Sequence, residues 1–216
     1  MAKRGHERAR NSPQMTTATQ SLILELDAAL SKASNFRQLQ ILRSITDLFV
    51  LGAESYSEEQ IAIFDDVITR LIEKMDPRSL SELSARLAEV ANPPKGVVAQ
   101  LSGSDNIAIS GPALEKSEGL SDEALVSIAA SKGQKHLKAI AGRRSLSEVV
   151  TDVLVERGDP EVSRRVSANL GARLSEMGFV KLINRAKKDR SLADAISSRT
   201  DLPPELVPFL RLALET

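Results

Sequence analysis

The sequence contains no cysteine and no tryptophan, and only 3% of its residues are aromatic. Without cysteine there is no disulfide, no thiolate nucleophile and no zinc site built on sulfur, and the lack agrees with a reducing compartment, so a cytoplasmic protein is expected. Histidine is nearly absent too: only His6 and His136 occur. Neither belongs to an H-x-x-x-H, H-E-x-x-H or E-x-x-H spacing, so an imidazole metal site lacks its second ligand. No uninterrupted apolar run reaches about 18 residues, which argues against a membrane-spanning helix. The basic start MAKRGHERARNSPQ is followed by no apolar core with a small-residue cleavage site, so a signal peptide is not expected. Gly96, Gly103, Gly111 and Gly119 stand alone and fit no phosphate-binding loop, and Gly-x-Ser-x-Gly is missing. The acidic pairs Glu58-Glu59 and Asp65-Asp66 point about 100° apart on a helix and do not face each other. No cofactor, metal or catalytic signature emerges, and the expectation is a protein that is not an enzyme.

What the chain does have is aliphatic. Hydrophobic residues make up 42% of it, and a Leu/Ile/Val/Ala core with so few rings suits packed helices better than a β-sandwich. Charge sums to zero but is unevenly placed: residues 1–17 carry +3, residues 18–132 carry −7, residues 133–200 carry +6 and residues 201–216 carry −2. The molecule is therefore dipolar, with a basic C-terminal part.

Residues 1–17 lack helical periodicity and read as a basic disordered arm. Leu22, Leu26, Ala29 and Leu30 then recur at helical spacing, with Ser34 or Asn35 as the next cap. Leu39, Leu42, Ile45, Leu48 and Phe49 form a second amphipathic stretch that closes at Gly52. Ser57 and Gln60 make a capping box before a third, with Ile61, Phe64, Ile68, Leu71 and Ile72 on one face. It stops at Asp76-Pro77. Residues 18–76 are thus expected as an N-terminal three-helix unit, itself a surface that could serve a homodimer.

From residue 77 to 216 the segments shorten and echo one another. Leu83, Val97, Asp105, Leu120 and Ile128 correspond to Leu137, Val150, Asp159, Leu174 and Ile183, offsets of about 54 residues that mark a helical repeat array. Arg-Ser-Leu at residues 78, 144 and 190 repeats as well, without a fixed period. In Glu156-Arg157-Gly158-Asp159-Pro160, Gly158 suits a left-handed C-terminal cap, Asp159 an N-cap and Pro160 the first helical position. This Gly-Asp-Pro-Glu-Val turn resembles the inter-helix turn of HEAT-type repeats.

A wider resemblance rests on His136-Leu137, Ile140-Ala141, Arg143, Val150, Asp152, Leu154-Val155, Gly158-Asp159, Val162, Asn169 and Arg199 with Asp201-Leu202-Pro203. Together with Thr46–Phe49 and Phe64-Asp65, these are similar to the bacterial domain-of-unknown-function family 2336, over about residues 20–210. The resemblance implies an all-α fold with HEAT-like repeats and no assigned activity, and it carries no catalytic residues over. The fold class expected is therefore all-α, an N-terminal helical unit followed by an irregular HEAT-like α-solenoid packed as one body with it.

Two sets of polar residues on the repeats bear on function. Arg157 and Arg199 end their helices on the apolar stripe, and Asn169 falls between Val162, Val166 and Leu170. All three are expected to satisfy backbone groups between repeats. The second set is basic: Arg143, Arg144, Arg164, Arg165, Arg173, Lys187 and Lys188, with Lys181, Arg185 and Arg190 beside them. Arg164 and Arg165 lie opposite the Val162/Val166 stripe and are expected to face solvent. If these residues align they offer a binding face for phosphates or acidic segments, though no aromatic residue interleaves them for base stacking. The leading expectation is a protein-interaction or regulatory scaffold with a protein partner and no membrane. A nucleic-acid-binding protein using the basic face is the alternative, and a helical-repeat base-excision enzyme the third reading.

Overall fold

The computed structural model describes residues 34–215, and every regular element among them is helical. The arm at residues 1–17 with His6, and the helix expected around Leu22–Leu30, lie outside the described residues.

Twelve α-helices follow in order: α1 Asn35–Gly52, α2 Glu58–Ile72, α3 Pro77–Ala88, α4 Lys95–Ser102, α5 Ile107–Lys116 and α6 Asp122–Ser131; then α7 Gln134–Ala141, α8 Glu148–Arg157, α9 Pro160–Ala168, α10 Glu176–Ala186, α11 Arg190–Ser197 and α12 Val207–Leu214. A 3₁₀ turn at Pro204–Leu206 leads into α12. The starts are written in local chemistry. Ser57 and Gln60 close the capping box of α2, and Asp76 accepts from the backbone N–H groups of Arg78 and Ser79 ahead of α3. Asp159 does the same for α9 through Val162. Pro77 and Pro160 occupy first helical positions, where the missing N–H costs nothing.

Gly158 departs from expectation. Its φ is −68°, extended rather than left-handed, and no described residue has a positive φ. Glycine is needed there for space, because a Cβ would collide with the Leu154 carbonyl and the Val162 side chain.

Packing follows one rule. Odd helices neighbour odd ones in the series α1, α3, α5, α7, α9, α11, and even helices α6, α8, α10 and α12 neighbour in turn, as do α2 and α4. Each hairpin supplies one helix to each row. Odd helices from α3 onward start at residues 77, 107, 134, 160 and 190, so the offset of about 54 residues in the sequence spans two hairpins. The matches at residues 78 and 190 fall at equivalent helix starts, whereas the one at 144 falls in a loop. A lone parallel bridge, Leu146 with Ala172, ties the loops after α7 and α9.

Two apolar clusters fill the space between rows. One holds Leu42, Phe49, Ile61, Ile68, Leu71, Leu83, Leu87, Val97, Leu101 and Ile109; Phe49, Tyr56 and Phe64 stack within it. The other runs from Val98, Ala113 and Leu114 to Ala213. They meet inside α4 and α5, not at Pro77: Val97 and Val98 go to different clusters, as do Ile109 and Ala113.

Candidate functional site

Every helix leaves its last carbonyls without intrahelical donors. Here long polar side chains from the next hairpin close them. On the odd row, Arg143 donates to the carbonyls of Leu114 and Ser117 beyond α5, both at 2.8 Å. Asn169 Nδ2 donates to Ala141 and Arg143 beyond α7 at 3.0 and 2.7 Å. Arg199 donates to Ser167, Asn169 and Ala172 beyond α9. On the even row Arg157 closes Ala129 and Lys132, and Arg185 closes Glu156 and Gly158. Arg199, 6% exposed, also meets Asp201 at 2.6 Å and sits 5.6 Å above the Phe179 ring. His136, likewise 6% exposed, has Nε2 at 3.0 Å from the Ser104 carbonyl; since a carbonyl only accepts, that nitrogen carries the hydrogen. The interhelical roles expected for Arg157, Asn169 and Arg199 are therefore their observed ones.

These closures also fix the geometry of the rows. Because C-terminal end bonds to C-terminal end, helices of a row run parallel, and the molecule has two edges: one made by the ends of odd helices, the other by the ends of even helices.

The seven basic residues divide between these edges. Arg143, Arg144, Arg165 and Arg173 lie at the odd-helix ends, and Arg164, Lys187 and Lys188 at the even-helix ends. Arg164 and Arg165, adjacent in sequence, point apart. Arg164 pairs forward with Asp189 at 2.8 Å, at the start of α11. Arg165 reaches back to Glu115 of α5 and lies over Gly142, where a Cβ would collide with both groups. Burial pushes the Arg143 guanidinium below its ordinary range, against the opposing pull of Asp122 and Glu118. Arg144, Arg173, Lys187 and Lys188 are exposed and form no ion pair among the described residues. Lys181 pairs with Glu156 at 2.5 Å and Arg190 with Asp194 at 3.2 Å.

Beside Arg165, an open cleft of about 460 Å³ crosses the ends of α3, α5 and α7, lined among others by Glu89, Glu115, Lys116, Glu118, Arg143 and Arg144. Its rim mixes signs. Lys116 meets Glu89 at 2.5 Å, and that hydrogen bond raises the lysine's pKa. Sequence reasoning missed the cleft because the glutamates of three different helices carry no spacing signal. Among the described residues no group of three or more His, Asp or Glu side chains is placed to hold a metal ion, and no helix is long and apolar enough to cross a membrane.

No curated protein and no solved structure matches the chain. A family model does, over residues 109–210, from α5 to α12. Thr46–Phe49 and Phe64-Asp65, which also suggested the resemblance, precede that range. Residues 109–210, close to half of the chain, belong to domain-of-unknown-function family 2336, described as uncharacterised protein conserved in bacteria.

Proposed function

We propose that the chain is a non-enzymatic protein-interaction scaffold of the cytoplasm, an irregular HEAT-like α-solenoid whose odd-helix edge receives a protein partner. The solenoid reading is supported by the two parallel rows and by odd helices that start every 26–30 residues from Pro77 onward. The shared apolar clusters support residues 18–76 and 77–216 acting as one body.

One observation carries the choice of surface. The Arg165–Glu115 pair joins α9 to α5 although α7 lies between them. Two side chains can span that distance only if the row bends toward this edge, which makes it concave. Repeat arrays bind along such concavities. The cleft offers exposed charges of both signs, which suits a polypeptide better than a uniformly charged polymer. The nucleic-acid alternative has less support, because three of the seven basic residues are held by protein groups and the set straddles two edges.

The test is affinity capture with crosslinking from the cells that make the protein, comparing wild type with Arg144→Glu. The expected result is a specific protein recovered with wild type and depleted at least about tenfold with the variant. Recovery of no protein sinks the proposal, and equal recovery with both moves the contact away from the cleft.

A further inference from the structure

The even row ends differently from how it runs. Between α8 and α10 the outer surface is polar: Lys181 pairs with Glu156, and Ser175 Oγ donates to Asp152 at 2.6 Å. Between α10 and α12 it is apolar. Val180, Ile183, Leu206, Phe209 and Leu212 line a groove of about 380 Å³, with Asn184 and Lys187 along its α10 side. Phe209 is 57% exposed, a large ring to leave in water on a helix that already buries Leu210 and Ala213.

The two groove helices are parallel and level: Arg190, just past the end of α10, donates to the Leu214 carbonyl at the end of α12 at 2.8 Å. Lys187 and Lys188 therefore stand at the α12 C-terminal end of the groove. Glu205 stands at the opposite end, in the 3₁₀ turn that precedes α12. All three are exposed, and none has an ion pair among the described residues.

We propose that this groove is a homodimer interface in which α12 of a second copy lies antiparallel to α12, each Phe209 entering the other copy's groove. The two-fold arrangement is the one that satisfies the charges. Reversing α12 across the dyad sets Glu205 of the second copy beside Lys187 and Lys188, and symmetry repeats the contact at the other end. A parallel arrangement would set lysines on lysines. The helix-in-groove contact spans about two turns of α10, roughly 10 Å, so it makes a concentration-dependent dimer and not an obligate one.

Sedimentation velocity on the full chain over a roughly hundredfold concentration range tests this. The expected result is a reversible monomer–dimer equilibrium. Phe209→Asp should raise its dissociation constant at least about 100-fold while the circular dichroism spectrum and melting temperature stay unchanged. Lys187→Glu with Lys188→Glu should weaken the dimer at low salt, and adding Glu205→Lys should restore it, a recovery that a variant failing to fold cannot show. A wild type that remains monomeric throughout overturns the proposal, as does a dimer that Phe209→Asp leaves intact or a charge swap that fails to restore association.

Discussion

At the residue scale, arginines that look alike in sequence do unlike work. Arg199 has a side chain only 1% exposed, three carbonyls to close and Asp201 as counter-ion. Arg144 stands in solvent at the rim of the cleft. Arg199→Ala would leave the ends of α9 unclosed and should cost about 3 kcal/mol in urea denaturation, whereas Arg144→Ala should cost less than about 0.5 kcal/mol. Equal effects would refute the division into closures and surface charge. The reading of Arg157, Asn169 and Arg199 was available because each falls on its own helix's apolar stripe, where an unpaired polar group is costly. Arg143 and Arg185 lay beyond it. Both do the same closing, but periodicity describes a residue's own helix and says nothing about which carbonyl waits on the next. The same limit hid the opposite directions of Arg164 and Arg165.

At the element scale, helix α5 contains Pro112, which has no N–H to give to the Ala108 carbonyl one turn back. Ser81 of α3 supplies the missing donor, its hydroxyl 2.7 Å from that oxygen. A proline that weakens one helix thus fastens it to its neighbour. Ser81→Ala should cost about 1 kcal/mol in the native sequence, and well under half of that once Pro112→Ala has restored the backbone donor. A double-mutant cycle by chemical denaturation measures the coupling, and additive effects would mean the serine acts otherwise. Helix α4 is likewise fastened from outside: Asp65 of α2 accepts from the backbone N–H groups of Gly96 and Val97 at 2.8 and 2.7 Å. Read along the sequence, Asp65 belongs to an ordinary acidic pair, because the helix start it caps lies some thirty residues on. The caps that are legible, at Ser57, Asp76 and Asp159, share one property: donor and acceptor lie within three residues of each other.

At the scale of the whole molecule, the two apolar clusters interlock through α4 and α5. Neither can lose its packing without stripping the other of a helix face, so the described residues should unfold as one unit. Tyr56, the only tyrosine in a chain without tryptophan, sits in the first cluster against Phe49 and Phe64. Its fluorescence reports that cluster, while far-ultraviolet circular dichroism reports all helices. The two urea transitions should share one midpoint, and separated midpoints would show that the clusters are independent.

The sequence by itself determined that the chain is helical and where most helices begin. Those facts depend on capping residues, proline placement and a 3.6-residue apolar period, interactions that close within one or two turns. It also carried the repeat, though at twice the length of the hairpin, because equivalent helices two hairpins apart resemble each other more than neighbours do. Only the tertiary structure decided how rows are stapled, why Gly142 and Gly158 are glycine, that the basic residues separate to two edges and that α12 leaves an apolar groove. Each of these depends on groups some 20 to 50 residues apart meeting in space, and no local pattern encodes which partner arrives.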